Sequence, residues 1–129
     1  MLLDEITENL KQKYSDAVLL IESQRYSNAI YLTGYCVELA LKYAIAKHLN
    51  WQQFRTEGEL RVLKSHNFFF LLQFTGKEDA IKANTAWHVV SKWRETNRYE
   101  DPRRAVESDA RGMLAAARTL VEDLCEISL

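Results

Sequence analysis

The sequence predicts an all-α protein, an antiparallel bundle of about five helices, and three observations predict it. One proline and four glycines are all that punctuate 129 residues. Apolar residues recur at spacings of three, four and seven, and strand-like alternation is absent. The 47% hydrophobic content is that of a globular chain able to bury a core, so residues 1–129 are read as one domain.

Each helix has its own signal. Leu3, Ile6, Leu10, Ala17, Val18 and Ile21 fall on one stripe, which predicts an amphipathic helix from about residue 2 to 23. The run SQRYSN breaks it and starts a second helix that reaches about His48. Here Ile30, Gly34, Val37, Leu41 and Ile45 occupy one side, and Tyr31, Tyr35 and Leu39 another. A helix apolar all round is central, covered by neighbours or by a partner chain, and Gly34 is expected to let another helix approach closely.

NWQQFRTEGELRVLKS then reads as a polar connection. It leads into a short helix in HNFFFLLQFTG, with Ser65 as N-cap and Gly76 as stop. A further helix is expected from about Glu78 to Trp93. WRETNRYEDPRR forms the next loop, and Pro102 suits a first helical position. In the last helix Met113, Ala117, Leu120, Leu124 and Ile127 repeat every seven residues, the pattern of a bundle or dimer seam.

Charge excludes some functions. Lys and Arg number 17 against 18 Asp and Glu, so no global field draws the chain onto nucleic acid or an anionic membrane. The distribution is uneven: residues 51–105 carry ten bases against seven acids, and residues 106–129 two against five. The middle is either a set of solvated helix faces or a local anion-binding patch. Cys36 and Cys125 lack paired metal-ligand spacing and lie in apolar stretches, so they are read as buried thiols of a reduced, cytoplasmic protein. The N-terminus MLLDEITENLKQKY is acidic and periodic, unlike a signal peptide, and no apolar run reaches a membrane span. Contact with a membrane is not expected.

One stretch raises a chemical question. YLTGYCVELALKYAIA, residues 31–46, is built for burial yet carries Glu38 and Lys42. Their order and spacing are those of a helical ion pair. The pair either holds structure together or lines a site, because an ionised group inside a core must be paired.

The same stretch carries a resemblance. AIYLTGYCVELALK is similar to the second helix of HEPN domains, where Tyr-Leu-x-Gly-Tyr-x-x-Glu-x-x-Leu-Lys precedes a downstream HDL..LL segment and an aromatic residue shortly before RY. Here the later pieces are SHNFFFLL and WRETNRYE, in that order, so the resemblance covers nearly the whole chain. It implies a compact antiparallel helical domain, often a homodimer, that acts on RNA or binds nucleotides. Such domains occur as toxins of toxin–antitoxin pairs or as companions of small nucleotidyltransferases. Catalytic members are metal-independent endoribonucleases with an Arg-x4-6-His motif near the start of the last long helix.

The chain departs from that motif. At the late position Arg98-Tyr99 has no following histidine. An Arg-x4-His does occur as Arg61 to His66, earlier in the chain, but chance alone makes a single match of this kind common enough that it is no evidence by itself. His66 corresponds to the histidine of HDL, where capping or packing is the simpler duty. A ribonuclease would need a base or acid at the 2′-hydroxyl and a guanidinium on the phosphate. His66 would supply the first, Arg61 or Arg98 the second. Arg94 and Arg98, with Trp93 and Tyr99 beside them, suit phosphate contact and base stacking, or equally a corner that closes a loop.

The leading expectation is an accessory module that binds nucleotide or RNA through Glu38, Lys42, His66, Arg94, Arg98 and Tyr99. The alternatives are a ribonuclease using Arg61 and His66, and a purely structural partner of an antitoxin or nucleotidyltransferase. No cofactor or metal is expected, and whether the chain is an enzyme stays open at this point.

Overall fold

The computed structural model describes residues 1–94 and 100–129. Among them are six α-helices: α1 Leu3–Glu22, α2 Tyr26–His48, α3 Phe68–Leu72, α4 Glu78–Lys82, α5 Thr85–Val90 and α6 Glu107–Cys125. Two 3-10 turns, Gly58–Leu63 and Pro102–Arg104, complete the described elements. The all-α class stands, with an isolated backbone bridge between Leu2 and Gln53 tying the start of the chain to the connection after α2.

The long helices follow the predicted stripes. In α1, Ile6, Leu10, Ala17 and Ile21 are buried, and the Glu5 carboxylate accepts the Leu2 N–H at 2.8 Å, satisfying a donor that helix geometry leaves over. Gln24 takes a positive φ of 62° in the short turn that reverses the chain into α2. α2 is buried on nearly every side, from Ala29 to Ala46. By length and composition it could cross a membrane, a correction to the absence of any such run. Here its apolar surface is spent on α1, α3 and α6, as in a core helix.

α6 places Met113, Ala117, Leu120 and Leu124 in the core, mainly against α2. The seven-residue stripe is thus a seam inside one chain. The bundle is antiparallel at α1 and α2, but α6 runs parallel to α2. Tyr26 at the start of α2 donates to Glu107 at the start of α6, and near the far end the Cys125 thiol meets the Ala40 carbonyl at 3.9 Å. The return path is the segment of short helices between them.

That segment departs most from expectation. The helix expected over 78–93 is two short ones, because Asn84 caps α5 by accepting the Ala86 N–H at 2.9 Å, which fixes a new start. α3 is capped by Asn67, whose side chain accepts from Phe70 N. Ser65 instead accepts the Asn67 N–H, two residues too early to be the cap. Pro102 opens a 3-10 turn, and α6 begins five residues later. The count of helices therefore exceeds about five.

Gly34 has a specific occupant. A Cβ there would overlap the indole of Trp93, so the close approach is made by a side chain and not by another helix. Trp93 also stacks on Phe68 with centroids 5.2 Å apart and planes 12° apart. The glycine is a socket that holds the end of the α5 segment and the start of α3 against α2.

Candidate functional site

Glu38 answers the question posed by its sequence. It lies on the buried middle of α2 at 4% exposure, where a lone carboxylate would cost several kcal/mol in desolvation, roughly. Two donors meet it. Lys42, one turn later, places Nζ 3.2 Å from Oε2, and His66 places Nδ1 2.7 Å from Oε1. Lys42 also sits over the Phe54 ring, 5.6 Å from its centroid, a cation–π contact that adds to its confinement.

His66 is delivered by the loop that enters α3. The Asn67 cap and the Ser65 hydroxyl shape this entry, and Phe68 anchors it by stacking on Trp93. The histidine side chain remains 54% exposed. An ionised carboxylate only accepts hydrogen bonds, so Nδ1 donates to Glu38. Nε2 makes no hydrogen bond among the described residues and is the ring's free functional atom.

An aromatic ledge continues from the histidine along α2. The Tyr35 ring meets His66 edge-on, with centroids 6.3 Å apart. One turn earlier Tyr31 meets Tyr35 at 5.1 Å and 83°, and their hydroxyls lie 3.1 Å apart. Both tyrosines also contact Trp93. His66, Tyr35 and Tyr31 thus form a half-buried strip beside the Glu38 carboxylate.

The remaining sequence candidates separate. Arg61 is exposed on the 3-10 turn Gly58–Leu63 and makes no side-chain hydrogen bond or ion pair among the described residues. No contact joins it to His66. Arg94 folds back at the end of α5, where Nη1 donates to the carbonyls of Ser91 at 2.6 Å and Trp93 at 2.8 Å. Arg98 and Tyr99 lie outside the described residues. Among the described residues no group of three His, Cys, Asp or Glu side chains could hold a metal ion.

Two contributors escaped sequence reasoning, Phe54 beneath Lys42 and Tyr35 beside His66, while Trp93 was named as a stacking or loop-closing residue but not as the occupant of the Gly34 socket. Tyr35 had a signal, since it precedes Glu38 by one helical turn. Phe54 had none, and the partner of Trp93 could not be read, because the residues they meet are distant in sequence.

With the α2 and SHN motifs joined at one carboxylate and Trp93 packed on the same helix, comparison with known families decides the relationship. The HEPN domain model matches residues 5–128. The chain belongs to the HEPN domain family. No curated protein and no solved structure matches it. In this HEPN domain the Tyr-Leu-x-Gly-Tyr-x-x-Glu-x-x-Leu-Lys stretch of α2 supplies the Gly34 socket, the Tyr35 ledge, the acceptor Glu38 and its Lys42 partner. The SHN segment supplies His66. What the arrangement can do chemically is to present one imidazole nitrogen, of fixed tautomer, beside aromatic faces.

Proposed function

We propose that this HEPN domain is an accessory module that binds a nucleotide or a short stretch of single-stranded RNA across the His66–Tyr35–Tyr31 strip. The observation that carries the reading is the double use of Glu38, which turns His66 Nδ1 inward and leaves Nε2 for a ligand. A phosphate or ribose hydroxyl is a natural partner for that nitrogen, and tyrosine faces offer stacking surface to bases of any identity. Lys42 is mostly spent on Glu38 and Phe54, so its part is to stabilise the carboxylate. Arg98 and Tyr99 belong to the proposal as further phosphate and base contacts.

The working form we infer is a cytoplasmic homodimer that accompanies an antitoxin or a nucleotidyltransferase. The apolar faces of α2 and α6 are used within one chain, so a second copy would need exposed apolar residues such as Leu19, Val62, Phe69, Val89 or Val106.

A second reading, a metal-independent endoribonuclease, is favoured by one observation, the carboxylate–imidazole pair. A histidine oriented by a buried acid is equipped for general acid–base work. Against it stands Arg61, which makes no contact with His66. Incubation of purified protein with labelled single-stranded RNA and with ATP in excess EDTA tests both readings. Binding without cleavage, weakened about tenfold in His66→Ala, is the expected result. Cleavage that His66→Ala abolishes would replace the module by the enzyme, and unaltered binding in His66→Ala would remove the site.

A further inference from the structure

A cavity lies on the far side of Trp93 from the Phe68 stack, and the His66 loop is not part of its lining. It occupies about 500 Å³ between the first turns of α2 and α6 and the end of α5, within the range of small-molecule sites. Its floor is apolar, made by Ile30, Trp93 and Met113, with Val89 and Ala105 at the side.

Gly112 forms part of the wall. It sits inside α6, where glycine is the poorest residue after proline. The glycine at position 34 is explained by the Trp93 indole and that at 76 by a positive φ of 73°. At Gly112 a Cβ would meet nothing within 4 Å, and the φ is ordinary. Neither packing nor backbone conformation requires glycine there. The lack of a side chain leaves that part of the cavity wall open.

The rim is charged with both signs, and the charges do not pair. Lys92 and Arg104 supply two cations, Glu100 and Asp109 two anions. None makes a side-chain hydrogen bond or ion pair among the described residues, nor do the hydroxyls of Ser27 and Ser108. The fifth charge, Asp101, is taken by Arg103, whose Nη2 lies 2.9 Å from Oδ2. Elsewhere on the surface opposite charges in reach do close, as in Lys82 with Glu78 and Arg111 with Glu107. All four charged side chains are exposed, and unpaired charges of both signs over an apolar floor complement a ligand that is itself dipolar.

We propose that this cavity binds a small zwitterion of the amino-acid type, its carboxylate met by Arg104 and Lys92, its ammonium by Asp109 and Glu100. The apolar side group lies over Gly112 against Met113 and Ile30. The cavity shares Trp93 with the His66 strip, which packs on Tyr31 and Tyr35, but His66 is not among its lining residues, and the proposal does not depend on the function proposed for that strip.

Calorimetric titration of the full chain with L-phenylalanine and with L-leucine tests the proposal. Saturable binding of at least one is expected. 3-Phenylpropanoate and phenethylamine, each carrying a single charge, bind about tenfold more weakly than L-phenylalanine. Gly112→Leu fills the cavity and abolishes binding without lowering the melting temperature, because leucine favours the helix. Arg104→Gln, a surface change, weakens binding about tenfold, and His66→Ala leaves it unaltered. Absence of saturable binding by both amino acids overturns the proposal. So does binding that survives Gly112→Leu, or equal binding of the singly charged compounds.

Discussion

Glu38 and His66 are 28 residues apart in sequence and 2.7 Å apart in space. One is nearly buried and the other is half in solvent. Their contact converts a helix that is otherwise core into one wall of a site. Lys42 makes it tolerable, because a buried carboxylate held by a single half-exposed imidazole would be left undercompensated.

The two partners of Glu38 therefore differ in weight. Lys42→Ala removes the cation from a buried pair and costs about 3–5 kcal/mol. His66→Ala removes one hydrogen bond at the surface and costs about 1–2 kcal/mol. Urea unfolding of the two variants should show that order, with the histidine variant folded and fit for binding experiments. Equal losses would mean that Glu38 does not depend on Lys42.

Gly34→Ala places a methyl group where the Trp93 indole lies. Overpacking of this kind costs about 1–3 kcal/mol. Because Trp93 stacks on Phe68 next to the His66 loop, the variant should also red-shift tryptophan emission as the indole meets water. Gly112→Ala, with open space at its Cβ, should instead stabilise the fold by up to about 1 kcal/mol. The opposite signs of two glycine substitutions in two helices check the socket against simple helix propensity.

Burial pushes the thiols of Cys36 and Cys125 up to about 12. At neutral pH both remain protonated and closed to alkylating reagents, so iodoacetamide should label them only after unfolding. The pH dependence has a definite sign. The folded-state values lie above that of an ordinary thiol, so the folded chain keeps protons that the unfolded chain sheds. Stability from this source is complete below about pH 9 and falls as pH rises toward about 12. The urea midpoint should drop from about pH 8 to about pH 10.5, and Cys36→Ala should reduce the drop.

Much of the fold was legible because α1, α2 and α6 announce themselves by period. Their stripes of Ile6, Leu10 and Ile21, and of Met113, Leu120 and Leu124, are buried as the spacing requires. The segment 51–105 was less legible. Its helices are about a turn and a half long, too short for periodicity to register, and are set by caps such as Asn67 and Asn84. The direction of α6 relative to α2 also depends on that segment, and no local signal carries it. In the candidate site, Glu38 and Lys42 could be paired from spacing alone. His66 was grouped with them only through the family resemblance, since spacing could not carry its approach, which depends on Trp93 filling a glycine socket on a distant helix.

The central claim is that Glu38 fixes His66 with Nδ1 inward and Nε2 free for a nucleotide or RNA ligand. Heteronuclear NMR of the histidine ring nitrogens, recorded with and without a short single-stranded oligonucleotide, tests it most directly. The account predicts that neutral His66 carries its proton on Nδ1, against the preference of free imidazole side chains, and that its Nε2 resonance moves when the oligonucleotide is added. A proton on Nε2, or an Nε2 resonance indifferent to the oligonucleotide, would contradict it.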